Sequence, residues 1–139
     1  MKRRFTICFL GYLVGNKRQK APMANEIPIT NLANARDIVR ARLRDQPAEI
    51  VEIATLLTSE LLSNALEHGS GKPVLALEVD GSQLRIRVRD EGPTVDLAPL
   101  AVEPTNERGR GLAIVSALAT EWGVERCWDG KVVWLSLNL

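Results

Sequence analysis

Two polar residues, Glu60 and Asn64, stand four positions apart in a segment whose apolar residues recur with helical periodicity. At about 100° per residue, both fall within about 60° of Leu57, on the face that such a helix buries. A carboxylate there can take a proton from a hydroxyl, and an amide can bind a metal or a phosphate. Because an unpaired buried polar group costs roughly 1–3 kcal/mol, a structural hydrogen bond, water at the edge of the face or a ligand must satisfy both.

A second polar residue interrupts an apolar pattern at the end of a predicted strand. Over residues 83–89 arginines alternate with apolar residues, and Asp90 follows in phase with Leu84, Ile86 and Val88. The alternation predicts a carboxylate on the buried face of a sheet. Glu91-Gly92-Pro93 then turns the chain. Two interpretations stay open: Asp90 caps this turn, or it accepts the exocyclic amine of a nucleobase.

A glycine-rich segment, Arg108-Gly109-Arg110-Gly111-Leu112, directly precedes an apolar helix. Glycines let backbone N–H groups approach a phosphate closely, and the start of a helix adds a favourable dipole. The segment is neither a Walker A loop nor GxGxxG, since Ile114 occupies the last position of that motif. A flexible entry into the helix is the alternative interpretation.

These residues need a scaffold of three helices and five strands. Helices are predicted over about 32–44, 48–68 and 110–121, with Thr30 or Asn31 capping the first. Strands are predicted over about 26–30, 73–79, 83–89, 123–128 and 131–137, and a loop over 91–108. This order predicts an α+β two-layer sandwich, with a mixed, mostly antiparallel sheet and helices on one face.

Composition and charge narrow the class of protein. The 139 residues, 45% of them apolar, suit one globular domain, which we assign to residues 26–139. Residues 1–25 form a basic and apolar extension that we expect to lie outside the core. Six of the 18 basic residues fall in the first twenty positions, so the remainder carries a net charge of −5. That balance argues against direct nucleic-acid binding by the body of the chain.

Cysteine and histidine counts and the apolar run near the N-terminus argue against zinc-binding, disulfide-rich and membrane-spanning classes. Two distant cysteines and one histidine make neither a disulfide framework nor a zinc site. The apolar run from Phe5 to Val14 is shorter than the roughly 20 residues that a spanning helix needs. We therefore expect a cytoplasmic protein with reduced thiols and no membrane partner.

The three polar segments, taken together, resemble the GHKL ATPase superfamily, which has the Bergerat or histidine-kinase-like ATPase fold. Residues 60–68, ELLSNALEH, are similar to its N box, ELxxNAxxH. Asp90-Glu91-Gly92-Pro93 resembles the DxGP box, and residues 108–118 resemble the glycine box GRGLxIVxAL. Order and spacing agree over about 27–139. Within the superfamily the chain most resembles the anti-sigma-factor serine/threonine kinases of the RsbW and SpoIIAB type.

The resemblance implies ATP and Mg²⁺ as ligands and a role for each matching residue. Asn64 would hold Mg²⁺, Glu60 would act as general base on the attacking hydroxyl, and Asp90 would take the adenine amine. Gly92 would leave space for the ring. The glycine box would bring backbone amides and a cation to the phosphates, through Arg108, Gly109, Arg110, Gly111 and Leu112. His68 would be structural.

One position departs from the family pattern. Members often carry a threonine near the last strand, which supports the water beside the adenine-binding aspartate. Here that stretch reads Gly130-Lys131-Val132-Val133 and has no hydroxyl. The network around the adenine is therefore expected to differ, with a modest affinity.

The resemblance also implies partners: a sigma factor that the chain sequesters, and a STAS-type anti-sigma-factor antagonist that it phosphorylates on serine or threonine. Dimers occur in the related family, so a homodimer is one expectation. Two alternatives stay open. The chain could be a partner-docking module that holds ATP, or nothing, without kinase activity. It could also be a detached histidine-kinase catalytic domain.

Overall fold

The computed structural model describes residues 3–7, 26–68, 71–91, 107–127 and 130–139. These residues contain three helices, α1 (Leu32–Arg42), α2 (Ala48–His68) and α3 (Glu107–Leu118). The same residues contain six strands, β1 (Arg3–Ile7), β2 (Ile27–Pro28), β3 (Val74–Asp80), β4 (Gln83–Asp90), β5 (Glu121–Cys127) and β6 (Gly130–Asn138). Asn31 caps α1, since its Oδ1 accepts a hydrogen bond of 2.8 Å from the Asn34 amide.

The strands form one sheet in the order β1-β5-β6-β4-β3-β2. Strand β1 runs parallel to β5, and every other neighbouring pair is antiparallel. The β3–β4 hairpin turns at Gly81, whose φ of +58° lies in the left-handed region that favours glycine. The predicted mixed, mostly antiparallel sheet is confirmed.

The helices cover one face of the sheet. Alternate residues of β3, β4, β5 and β6 share a single buried cluster with residues of all three helices, among them Val39, Leu57, Leu61, Ile86, Val115 and Leu135. The opposite face contributes a separate and much smaller cluster around Ala76 and Val132. The predicted α+β two-layer sandwich is therefore confirmed.

Helix α3 begins and ends about three residues earlier than the sequence predicted. The prediction began this helix at Arg110 and ended it at Glu121, but it runs over Glu107–Leu118. At its other end, Glu121 is the first residue of β5 and lies opposite Ser136 of β6. The Thr120 amide already donates a hydrogen bond of 2.8 Å to the Ser136 carbonyl. Thr120 and Glu121 therefore pair with β6 and do not continue the helix.

Strand β1 comes from the segment assigned to the extension. It pairs in parallel with β5 at one edge of the sheet. The domain boundary near residue 25 stays a prediction. Among the described residues, none of the helices is both long enough and apolar enough to cross a membrane.

Candidate functional site

Helix α2 carries an unusual number of polar side chains into the core. Three of them, Thr55, Thr58 and Ser59, are buried, and each hydroxyl donates to the carbonyl four residues earlier at 2.6–2.9 Å. The Ser59 oxygen also accepts a 3.0 Å hydrogen bond from Arg36 Nε of α1. These hydroxyls are therefore satisfied within the protein, and none of them requires a ligand.

Asn64 differs from these three residues. It is 9% exposed, and its Nδ2 is buried without a hydrogen-bond partner. Native proteins rarely leave such donors unpaired, so this amide is available to a ligand. The predicted burial of Asn64 is confirmed, and the amide offers a donor to a phosphate and an oxygen to a metal.

Glu60 lies one helical turn before Asn64, at the boundary of the buried face. Its side chain is half-buried and lines a groove of about 370 Å³ between α1 and α2, together with Arg36, Arg40 and Ser63. The sequence had placed Glu60 on the buried face itself. The structure instead leaves its carboxylate accessible, which a group that exchanges protons with a substrate requires.

Strand β4 delivers Asp90 to the helix-covered face, as its alternation predicted. Leu84, Ile86 and Val88 are fully buried, and Asp90 is 2% exposed. The facing residues of β6 continue the pattern, since these three lie opposite Leu137, Leu135 and Val133 respectively. Asp90 is thus the last member of a buried ladder and the only charged residue that β4 contributes to it.

The sequence reasoning missed the residue that faces Asp90. Lys131 lies directly opposite it on β6 and is fully buried. Lys131 Nζ lies 3.4 Å from Asp90 Oδ1, to which it donates a hydrogen bond, and 3.2 Å from Oδ2. The alternation in β6 could have predicted that Lys131 is buried, because this residue is in phase with the apolar residues Val133, Leu135 and Leu137 of its own strand.

Two glycines bring the ends of these elements together. A Cβ added at Gly130 would overlap the Asp90 carbonyl oxygen and would lie 2.9 Å from the Glu91 Cα, so β6 packs directly on the end of β4. Gly71, which follows α2 with a φ of +74°, would place a Cβ 3.5 Å from a Glu91 carboxylate oxygen. The end of α2 and the end of β4 are therefore neighbours.

The glycine box occupies the first turns of α3 instead of a loop in front of it. Residues 107–109 are its first three residues, and the N–H groups of the first three helical residues have no acceptor within the helix. Gly109 thus keeps an amide of the kind that the phosphate role needs. Helix α3 packs on α2, which places the box on the same side of the sheet as Asn64.

Some predicted site residues are not assessed by the structure. Gly92 lies outside the described residues, and the side chains of His68 and of residues 107–112 are not described. Within the described part of the chain, no three His, Cys, Asp or Glu side chains gather as a metal centre. The Asn64 side-chain oxygen is a ligand type that Mg²⁺ accepts beside phosphate oxygens.

Comparisons with known proteins agree with this geometry. The family described as a histidine kinase-like ATPase domain matches residues 28–137, a span that contains Glu60, Asn64, Asp90 and the glycine box. An uncharacterized protein of Streptomyces coelicolor is 37% identical over 79 residues, which cover 54% of this chain and 75% of that protein.

Solved structures of histidine kinases share the fold. The histidine kinase domain of the Erythrobacter litoralis blue-light activated histidine kinase matches 78% of this chain with a TM-score of 0.54 and 24% identity. This chain spans only 59% of that domain. Acinetobacter baumannii histidine kinase AdeS matches with a TM-score of 0.55 and 15% identity. The match covers 82% of this chain and 67% of the AdeS chain. The catalytic domain of histidine kinase ThkA matches with a TM-score of 0.52 and 16% identity. The match covers 81% of this chain and 93% of the ThkA domain.

Proposed function

The chain belongs to the family of histidine kinase-like ATPase domains, and from that premise we propose that it binds ATP with Mg²⁺ between α2, the end of β4 and the start of α3. One observation carries the proposal. Asn64 presents a buried amide nitrogen without a partner, whereas the three buried hydroxyls of the same helix are all satisfied. An unpaired donor in this helix fits a phosphate group.

Each residue of the site has a task that its position supports. The Asn64 amide holds the metal and the phosphates, and Mg²⁺ supplies neutralisation of the phosphate charge when it is bound. Glu60, half-buried one turn away, accepts the proton of the attacking hydroxyl. Asp90 receives the adenine amine, and Gly92 leaves room for the ring. The amide of Gly109 meets the phosphates, with Arg108, Arg110, Gly111 and Leu112 completing the box.

The finer proposal concerns what receives the phosphoryl group. The chain is proposed to phosphorylate a serine or threonine of a STAS-type anti-sigma-factor antagonist and to sequester a sigma factor in the cytoplasm. The presence of Glu60 supports this, since a module that only binds ATP has no use for a base. Phosphoserine is stable in acid and phosphohistidine is not. Acid-stable label on the antagonist is expected, and acid-labile label on a helical-bundle protein would indicate a detached histidine-kinase catalytic domain.

The test of nucleotide binding is a calorimetric titration of Mg-ATP into the wild type and into Asp90→Asn. Asp80→Asn is the matched control, because it makes the same change at the opposite end of the β3–β4 hairpin, where the side chain is exposed. Loss of binding in Asp90→Asn but not in Asp80→Asn is expected. Equal binding by all three proteins would remove Asp90 from the site.

A second candidate function has its own supporting observation. The buried ion pair with Lys131 already neutralises the charge of Asp90, as expected of a site that no longer depends on a nucleotide. In that case the chain is a partner-docking module without kinase activity. A folded wild type that binds neither ATP nor ADP in the same titration would favour this function.

A further inference from the structure

Lys131 is buried in an apolar environment where a lysine is rarely found. Its side chain is 0% exposed, that of Asp90 is 1% exposed, and the two residues lie directly opposite each other on β6 and β4. Lysine and aspartate are almost never fully buried unless they are paired. The Lys131 ammonium therefore neutralises the Asp90 carboxylate within the protein, before any ligand arrives.

The backbone brings the start of the Lys131 side chain close to Asp90. Gly130 has no side chain, which lets β6 lie against the carbonyl of Asp90 and the Cα of Glu91. The Lys131 side chain therefore starts from a backbone that packs directly on the end of β4. Lysine Nζ donates only, as does an exocyclic amine, so the two groups use the same acceptor oxygens.

We propose that Lys131 sets base recognition in this chain by occupying, on the Asp90 carboxylate, the place of a base amine. The proposal rests on the nucleotide site proposed above. A base with an amine must displace the ammonium or share the carboxylate with it. A base with a carbonyl oxygen instead accepts a hydrogen bond from Lys131, so the usual advantage of the amine is lost.

The wild-type protein provides the first test. ATP and inosine triphosphate differ at the edge of the base that is proposed to face Asp90, because inosine triphosphate carries an oxygen in place of the amine. In calorimetric titrations with Mg²⁺, inosine triphosphate is expected to bind within threefold of ATP, or more tightly. A preference of tenfold or more for ATP would overturn the proposal, because it would show that the amine reaches Asp90 unopposed.

The Lys131→Met variant provides the second test. It keeps the length and apolar stem of the side chain but removes the ammonium. ATP is expected to bind at least tenfold more tightly than to the wild type, with a preference of tenfold or more over inosine triphosphate. Arg44→Met is the control, since it removes an exposed positive charge before the N-terminal end of α2, far from Asn64.

The outcomes separate the two proposals. If the wild type binds ATP and Lys131→Met, verified as folded by circular dichroism, binds it no better, Lys131 does not compete and only this inference fails. If neither protein binds either nucleotide, the proposed nucleotide site fails and this inference fails with it. Binding by Lys131→Met alone supports both. If the variant does not fold, the wild-type comparison of the two nucleotides decides.

Discussion

Replacement of Asn64 by leucine is expected to stabilise the protein and to abolish nucleotide binding. Asn64 is 9% exposed and its Nδ2 has no partner, so the wild type bears the cost of an unsatisfied buried donor, roughly 1–3 kcal/mol. Leucine has a similar branched shape and a helix propensity better by a few tenths of a kcal/mol. Its greater volume offsets part of the gain, which leaves a net stabilisation of about 1 kcal/mol.

Thermal unfolding with and without Mg-ATP measures both effects. Without nucleotide, Asn64→Leu is expected to melt about 3–5 °C above the wild type for a chain of this size. At a nucleotide concentration of 100 times Kd the order reverses, because the wild type alone gains about 2.7 kcal/mol from binding. This crossing of the two melting temperatures is the signature of a polar residue retained for a ligand.

Thr58→Val is the matched control in the same helix. Thr58 is buried like Asn64, at 0% against 9% exposure, but its hydroxyl donates a 2.8 Å hydrogen bond to the Ala54 carbonyl. Removing it is expected to destabilise the protein by about 1 kcal/mol and to leave binding intact. The reasoning is refuted if Asn64→Leu is less stable than the wild type without nucleotide, or if Mg-ATP stabilises it as much as the wild type.

Three further predictions concern catalysis, packing and the domain boundary. Glu60→Gln is expected to keep ATP binding but to lower phosphoryl transfer by roughly 10² or more, and an unchanged rate would exclude Glu60 as the base. Gly130→Ala is expected to lower the free energy of unfolding in urea by about 2 kcal/mol or more, because the added Cβ overlaps the Asp90 backbone. Gly81→Ala, with open space around it, is expected to cost only about 1 kcal/mol. Deletion of residues 1–22, which removes β1, is expected to leave a folded ATP binder by circular dichroism and calorimetry, and an insoluble product would place the segment in the core.

The periodicity of apolar residues along the chain was enough to predict much of the fold and the burial of two site residues. The alternation in β4 predicted that Asp90 faces the helices, and the helical repeat in α2 predicted the burial of Asn64. Both follow from the residue's own element, whose period determines which side it faces. Glu60 lies nearer the edge of that face than predicted, because α1 leaves a groove beside it.

Two features depend on contacts that local patterns do not encode. Glycine disfavours helix, so the sequence placed the start of α3 after Gly109, whereas the helix already begins at Glu107. The pairing of Asp90 with Lys131 joins residues 41 positions apart and depends on the register between β4 and β6. Each strand's period indicates which face a residue takes, but not which residue of another strand lies opposite.

The short strand β2 has a consequence for self-assembly. It pairs only with Val74 and Leu75, so within the described part of the chain the other five residues of β3 form a sheet edge. Glu78 and Asp80 place exposed carboxylates along that edge, and Pro28 withholds a donor from the outer side of β2. Charge and proline at an edge oppose strand addition by a second chain. A homodimer of this protein is therefore expected to use a helical surface or the opposite edge, and this margin of the sheet is protected against uncontrolled polymerisation.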